Sequence, residues 1–188
     1  MISTHRLARS KTRWLVDLFP ALALALSLTL ALPLHAQPAP AAAAAARPAA
    51  PPFAGTTFDG HYYDLARQRG RVVMVVLWRT DCAVCLNKMP ELRANALGWK
   101  AAPFDLVLIN LDNLETDAGT YDMARRQVAG DKGPLLSFWH GHGRVPEAWR
   151  SVQRLPRTLI IDREGRIAAS HEGRFAAEAW NQVADLLP

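Results

Sequence analysis

Two cysteines separated by two residues, Cys82 and Cys85, are the residues whose type and spacing most clearly suggest chemistry, and they are the only cysteines in the 188-residue chain. The apolar run from Val72 to Trp78 precedes them without alternation, which predicts a strand buried on both faces. A segment of helical character follows. The pair is therefore expected at a helix N-terminus, where unpaired N–H groups and the helix dipole stabilise a thiolate. Since the thiolate is the nucleophile of disulfide exchange, the pattern favours a redox-active dithiol.

Two other uses of the cysteine pair fit the sequence less well. Half of a zinc site would need a second pair of Cys or His ligands at suitable spacing, and the chain has no further cysteine to supply it. A purely structural disulfide between adjacent helical turns would close a loop too short to restrain much of the chain. The order of strand, CxxC and helix therefore favours redox exchange.

The stretch around the cysteines resembles the active-site region of the thioredoxin superfamily, and most closely its TlpA-like envelope branch. The matching residues are Trp78, Cys82, Cys85, Met89, Pro90 and Leu92. Pro90 stands where the family has a helix-kinking proline, which here removes the hydrogen bond to the Leu86 carbonyl. The resemblance covers roughly residues 53–187. It implies an α/β, thioredoxin-like fold, with a central mixed β-sheet flanked by helices on both faces.

Several positions near the cysteines depart from the family pattern. Asp81 stands where a Trp usually precedes the first cysteine, and Ala83-Val84 replaces the usual proline-containing pair. Lys88 stands where many reducing members carry a glutamate with a role in proton transfer. A catalytic lysine and a solvated helix lysine are equally good interpretations of this position. Val76 replaces the buried aspartate of thioredoxin. Asp81 and Lys88 are expected to affect cysteine ionisation with opposite signs, so the direction of electron flow stays open.

The first 36 residues have the pattern of an export signal. A basic segment from His5 to Arg13 precedes a short apolar core at residues 18–32, and Ala36 ends a stretch suitable for signal peptidase. The core is shorter than the ~20 residues that a membrane-spanning helix needs, which favours cleavage over an uncleaved anchor. Both alternatives place the rest of the chain in the periplasm, and the second would tether it to the inner membrane.

The net charge of +5 belongs largely to this export segment. Residues 1–36 hold four of the 22 Lys and Arg residues and one of the 17 acidic residues, so the remainder carries a net charge of +2. The remaining arginines are scattered, as on a solvated surface. No nucleic-acid partner is expected.

The rest of the chain divides into a linker and one domain. Residues 37–52 are rich in Ala and Pro and predict a semi-rigid tether or a disordered spacer. The thioredoxin-like domain is expected at residues 53–188, beginning near Phe53. Within it, Asp59-Gly60 between two short strand-like segments predicts a hairpin.

The elements of the domain follow from its apolar patterns. Residues 104–111 repeat the buried-strand pattern and, with the intervening helix, predict a βαβ unit. A helix is then expected with Asp117 as its N-cap and Gly130 as its stop. Short elements are predicted at residues 134–139 and 146–149. Residues 155–162 and 167–170 predict an antiparallel pair of strands, and residues 176–187 a closing amphipathic helix.

Pro156 lies at the start of the strand predicted for residues 155–162. Composition alone would give its peptide bond only about a 5% chance of being cis. In thioredoxin-like proteins a proline at the mouth of such a strand is cis and packs against the CxxC, so the resemblance implies the same for Pro156. The backbone before the proline could then pair with a client strand that carries the reacting cysteine.

The segment His140-Gly141-His142 has two interpretations. The histidines could bind a soft or borderline metal beside the thiolates. A glycine-containing loop with two surface histidines is the simpler interpretation, and it is preferred here.

The resemblance as a whole implies an exported thiol–disulfide oxidoreductase. Cys82 would form the mixed disulfide, Cys85 would resolve it, and Pro156 would complete the site. No cofactor or metal is expected, because the two thiols carry the electrons. The expected partners are envelope client proteins with thiols or disulfides, such as apocytochromes or metal-site assembly factors, and a membrane thiol donor or oxidant. The alternative is a copper-binding metallochaperone, in which both cysteines and a histidine hold Cu(I).

Overall fold

The structure, a computed structural model, describes residues 47–129 and 134–188. The predicted export signal, most of the predicted linker and the predicted helix stop at Gly130 lie outside the described residues. Within the described residues, no helix has both the length and the apolar character needed to cross a membrane.

The described residues form eight strands and four helices. The strands are β1 (Ala54–Thr56), β2 (Tyr62–Asp64), β3 (Val72–Trp78), β4 (Phe104–Asn110), β5 (Leu135–Trp139), β6 (Gly143–Arg144), β7 (Arg157–Ile161) and β8 (Ile167–Glu172). The helices are α1 (Ala83–Gly98), α2 (Glu115–Ala129), α3 (Glu147–Arg150) and α4 (Glu178–Leu186). Short 3₁₀ turns at Leu65–Arg67 and His140–His142 follow β2 and β5.

Five strands form the central sheet in the order β5-β4-β3-β7-β8. Strands β3, β4 and β5 are parallel, whereas β7 runs antiparallel to β3 and β8 runs antiparallel to β7. The predicted mixed sheet and βαβ unit are thus confirmed. Every residue of β3 and β4 is buried, which explains why these segments carry nearly continuous apolar runs instead of an alternating pattern.

The two faces of the central sheet are covered differently. On one face, Met89 of α1 and Val183 of α4 pack with Met74 and other alternate residues of β3. On the other face, Phe53 and Trp149 of α3 pack with the remaining side chains of β3. A small antiparallel sheet of order β2-β1-β6 contributes to this second cover. The sequence predicted helices on both faces but did not predict the small sheet as part of one cover.

The predicted hairpin lies at the N-terminal side of the described residues. Strands β1 and β2 are antiparallel, and Gly60 in their turn has a φ of 85°, as the Asp-Gly pair predicted. Contacts with the domain begin before Phe53, because Arg47 Nη1 lies 3.2 Å from the buried carboxylate of Asp162. The end of the predicted linker therefore lies against the turn that joins β7 and β8.

Helix α2 begins earlier than the sequence predicted. Asp117 lies in its first turn and is not its N-cap, since the helix starts at Glu115. The buried side of the helix includes Asp122 and Arg125, whose Oδ1 and Nη2 atoms are 2.8 Å apart. The buried side of this helix therefore includes an ion pair, which hydrophobic periodicity does not indicate.

Candidate dithiol active site

Four strands of the central sheet bring the predicted site residues to one edge. Trp78 at the end of β3 pairs with Asn110 of β4, which in turn pairs with Trp139 of β5. The carboxyl ends of these parallel strands therefore lie side by side. Strand β7 runs in the opposite direction, and its first residue, Arg157, pairs with Leu77. The segment before β7 consequently reaches the same edge as the CxxC.

The cysteine pair lies where the sequence predicted, at the start of a helix. Cys82 is the N-cap of α1 and forms a disulfide with Cys85, with Cα atoms 5.2 Å apart. The backbone N–H of Cys85 donates a hydrogen bond to Cys82 Sγ at 3.2 Å. In the reduced protein this donor and the helix dipole would stabilise a thiolate on Cys82.

The two sulfurs differ in their access to solvent. Cys82 is partly exposed, whereas Cys85 is only 1% exposed. Cys85 lies in an apolar cluster with Val76 and Met89, so the position at which thioredoxin carries a buried aspartate supplies only methyl groups here. An external disulfide can therefore approach Cys82 more readily than Cys85.

Lys88 is held by a neighbouring acid on the same helix. Its Nζ lies 2.7 Å from Glu91 Oε2, and Glu91 Oε1 accepts a hydrogen bond from Trp180 Nε1 of α4 at 3.1 Å. The Lys88 hydrogen bond holds the pKa of the Glu91 carboxyl below its usual range, although partial burial opposes it. Lys88 thus takes part in a contact between α1 and α4.

A buried carboxylate fixes the loop that leads to Cys82. Asp112 is 3% exposed, and its two oxygens lie 3.1 and 3.3 Å from the backbone nitrogen of Thr80. Arg79 Nε lies 3.6 Å from Asp112 Oδ1 and 3.3 Å from Asp81 Oδ1. Asp81 is therefore paired with a cation, which weakens its predicted effect on the ionisation of Cys82.

Sequence reasoning missed Asp112 and Arg79 as site residues. A signal was nevertheless present, because Arg79 directly follows β3 and Asp112 follows β4 after one intervening residue. Polar residues at the carboxyl ends of neighbouring parallel strands meet at one edge of the sheet.

The two histidines of the 3₁₀ turn have different partners. His140 Nε2 lies 3.0 Å from the backbone carbonyl of Asp112, and Trp139 Nε1 donates to the same carbonyl at 2.8 Å. His142 Nε2 lies 2.9 Å from Glu115 Oε1. Within residues 47–129 and 134–188, no group of three or more His, Cys, Asp or Glu side chains is arranged to hold a metal ion. The metal interpretation of this turn thus gains no support from the arrangement of the described side chains.

A cleft of about 570 Å³ opens beside the partly exposed cysteine. Cys82, His140 and Leu155 are among its lining residues, together with Arg79 and Arg150. The cleft thus joins the CxxC, the turn after β5 and the segment before β7, which are widely separated in sequence.

Pro156 has the predicted backbone geometry, since the Leu155–Pro156 peptide bond is cis. Pro156 is buried, and its carbonyl accepts a hydrogen bond from the Gly173 N–H at 2.9 Å. Leu155 packs against the cluster that contains the cysteines. In the described part of the chain, the backbone N–H and carbonyl of Leu155 have no hydrogen-bond partner. These two unpaired groups therefore belong to a residue that lines the same cleft as Cys82.

Comparison with known proteins links this arrangement to one family model. The model described as Redoxin matches residues 37–187. No curated protein sequence matches the chain significantly.

Solved structures share the fold. A protein from Chlorobium tepidum assigned as thiol:disulfide interchange protein DsbE is 24% identical, with a TM-score of 0.60, over 74% of this chain and 96% of its own. A protein from Bacteroides thetaiotaomicron assigned as a protein disulfide isomerase is 26% identical, with a TM-score of 0.57, over 74% and 87% of the two chains. StoA from Bacillus subtilis is 18% identical, with a TM-score of 0.53, over 71% and 99%. The central sheet and its helices are thus those of a thioredoxin-like fold.

Proposed function

The chain belongs to the Redoxin family, within the thioredoxin superfamily, and on this premise we propose that it is an exported thiol–disulfide oxidoreductase of the TlpA-like kind. The observation that carries the proposal is the asymmetry of the cysteine pair. Cys82 is partly exposed at the helix N-cap and accepts the Cys85 N–H, whereas Cys85 is 1% exposed. A sulfur with access and a stabilised thiolate suits attack on a client, and a buried sulfur one turn away suits resolution.

The reducing direction of the reaction has two exchange steps. The Cys82 thiolate attacks one sulfur of a client disulfide, a Cys82–client S–S bond forms, and the second client sulfur leaves as a thiolate that takes up a proton. Cys85 then loses its proton and attacks the Cys82 sulfur. This attack restores the Cys82–Cys85 disulfide and releases the client dithiol. Two electrons and two protons pass to the client, and the oxidising direction is the same sequence in reverse.

We assign Pro156 to the client-binding side of the same site. The carbonyl of Pro156 is occupied by Gly173, while the N–H and carbonyl of Leu155 are free beside the cleft that contains Cys82. An extended client segment can pair with this short backbone edge while its own sulfur lies next to Cys82. Such pairing orients the three sulfurs for in-line exchange.

The proposed compartment is the periplasm, with cleavage after Ala36 or retention of residues 1–36 as a membrane anchor. The basic segment, short apolar core and small residue at position 36 support export. The partners are envelope proteins with thiols or disulfides, and a membrane thiol donor or oxidant resets the pair. This compartment also allows a CxxC disulfide to persist between reactions.

Equilibration of the purified protein with glutathione buffers tests the proposal. The expected result is one reversible two-electron transition of the Cys82–Cys85 pair, together with faster reduction or oxidation of a model client than the buffer alone gives. Cys82→Ser and Cys85→Ser should each abolish the two-electron transition. A wild-type protein that accelerates neither direction of client exchange would overturn the proposal. Stoichiometric Cu(I) on the reduced protein would instead favour the metallochaperone alternative.

A further inference from the structure

Disulfide exchange near neutral pH benefits from a group that accepts the proton of the attacking thiol and returns it to the leaving thiolate. Val76 and Lys88 occupy the two positions where related proteins carry a carboxyl group. Val76 lies in the apolar cluster with Cys85, and Lys88 is paired with Glu91. Neither position therefore supplies a proton acceptor for the cysteine pair.

His140 lines this cleft together with Cys82. Its Nε2 lies 3.0 Å from the Asp112 carbonyl, and a carbonyl oxygen can only accept a hydrogen bond. Nε2 therefore carries a hydrogen, and Nδ1 is the nitrogen that gains or loses a proton. Among the described residues, no hydrogen bond to Nδ1 is present. The Trp139 ring packs against the imidazole at a centroid distance of 5.1 Å, which restricts its orientation.

Three charged side chains line the cleft with His140, namely Arg79, Asp81 and Arg150. The buried Asp112 contacts His140 through its backbone carbonyl. Arg79 is paired with Asp81 and Asp112, and Arg150 is paired with Glu147. The permanent charges are therefore largely compensated. Of the side-chain types that line the cleft with Cys82, imidazole is the one that ordinarily titrates near neutral pH.

We propose that His140 exchanges a proton with Cys82 and with the client during disulfide exchange, an inference that rests on the proposed oxidoreductase function. Nδ1 takes the proton as the Cys82 thiol becomes the attacking thiolate. The Cys82–client S–S bond then forms, the client S–S bond breaks, and the imidazolium gives its proton to the leaving client thiolate. While it is protonated, the ring also stabilises the Cys82 thiolate electrostatically.

The wild-type protein allows a first test that needs no substitution. Reduction leaves Cys82 free to ionise in the cleft, because a helix N-terminus stabilises the thiolate of a CxxC cysteine. The NMR titration midpoint of the His140 ring should therefore lie about one pH unit higher in the reduced than in the oxidised protein. His142, which pairs with Glu115, should titrate alike in both states. Equal midpoints for His140 in the two states would overturn the proposal.

A second test uses the pH profile of exchange with a model client disulfide. His140→Gln keeps a hydrogen-bond donor for the Asp112 carbonyl but cannot titrate. The exchange rate near neutral pH should fall at least about tenfold, and the inflection that the imidazole contributes to the pH profile should disappear. His142→Gln is the matched control and should keep the wild-type profile.

The outcomes separate this inference from the function on which it rests. An active His140→Gln protein with the wild-type profile would contradict the role of His140 alone, as would an equal loss in His142→Gln. An inactive wild-type protein would contradict the oxidoreductase function itself. If His140→Gln unfolds, the wild-type titration still decides.

Discussion

Both carboxylate oxygens of Asp112 lie within 3.3 Å of the backbone nitrogen of Thr80, two residues before Cys82. The backbone carbonyl of Asp112 also accepts a hydrogen bond from Trp139 Nε1 at 2.8 Å. One residue after β4 thus connects the loop after β3 with the end of β5. The position of Cys82 therefore depends on this buried residue as well as on its own helix.

Asp112→Ala is expected to lower the free energy of unfolding by about 2–3 kcal/mol, because it leaves the Thr80 N–H without its buried acceptor and removes the ion pair between Asp112 and Arg79. Urea unfolding of the oxidised protein measures this loss. The exposed Asp185→Ala should change the free energy by no more than about 0.5 kcal/mol. An Asp112→Ala protein as stable as the Asp185→Ala control would show that the carboxylate does not hold the loop.

Asp105, a second buried acid, lies near the start of β4, and its ion pair with Arg71 is expected to affect stability. Arg71 donates to Asp105 from Nη2 at 2.7 Å and from Nε at 3.0 Å, and the Tyr63 hydroxyl lies 3.4 Å from the same carboxylate. Burial, together with the Asp105 charge, raises the pKa of Tyr63 well above its usual value, so its hydroxyl remains a neutral donor.

Arg71→Met should therefore destabilise the fold by about 2–3 kcal/mol, because the Asp105 carboxylate would lose its charged partner while it stays buried. Arg67→Met is a matched control, since the Arg67 side chain is 79% exposed and pairs only loosely with Asp64. The control should lie within about 0.5 kcal/mol of wild type in denaturant unfolding. Equal losses in the two variants would argue against a special role for the Arg71–Asp105 pair.

The ionisation of Glu91 should make the free energy of unfolding depend on pH. Its pKa is held below the usual value chiefly by the Lys88 hydrogen bond, so the folded state favours the charged form. The resulting stabilisation is present above the unfolded-state pKa and is lost as the pH falls through the lower folded-state pKa. Glu91→Gln should lower the free energy of unfolding by up to about 1 kcal/mol at neutral pH.

The difference between wild type and Glu91→Gln should shrink as the pH falls below about 4, where the unfolded carboxyl is mostly protonated. Unfolding curves across an acidic pH series measure it. Glu164→Gln, in the exposed turn after β7, serves as the control. A Glu91→Gln difference that stays constant over the whole series would mean that the effect is not electrostatic.

The sequence was sufficient to predict the elements that carry strong local signals. Strands β3 and β4 are buried on both faces, and such strands need long apolar runs. These runs are easily recognised in the sequence. The start of α1 was marked by the CxxC after a buried strand. The cis bond before Pro156 came from the family resemblance, because composition gives no comparable signal.

The parts that could not be predicted depend on long-range arrangement. Asp112 and His140 meet because β4 lies between β3 and β5, and strand order is not encoded in the pattern of any single segment. The start of α2 was misplaced because Asp117 has the side chain of a typical N-cap residue but lies in the first turn of a helix that begins at Glu115. The buried ion pair of Asp122 and Arg125 on this helix was not predicted either, because polar residues that pair with one another inside a protein carry little periodic signal.

The proposed export signal predicts a specific N-terminus for the mature protein. Mass spectrometry of the protein expressed with its N-terminal segment should find a chain that begins at Gln37, recovered outside the inner membrane. A chain lacking residues 1–36 should stay in the cytoplasm. An intact chain in washed membranes would favour the anchor, and an intact chain in the cytoplasm would contradict export altogether.

Trapping of mixed disulfides tests the central claim most directly. In the proposed mechanism, Cys85→Ser leaves Cys82 able to attack a client but removes the resolving thiol, so covalent complexes should accumulate. Cys82→Ser leaves only the buried Cys85 and should trap none. Non-reducing electrophoresis with mass spectrometry of the linked peptides measures both. Clients joined through Cys82 in the first variant alone are the predicted result; no complexes in either variant, or complexes joined through Cys85, would contradict the account.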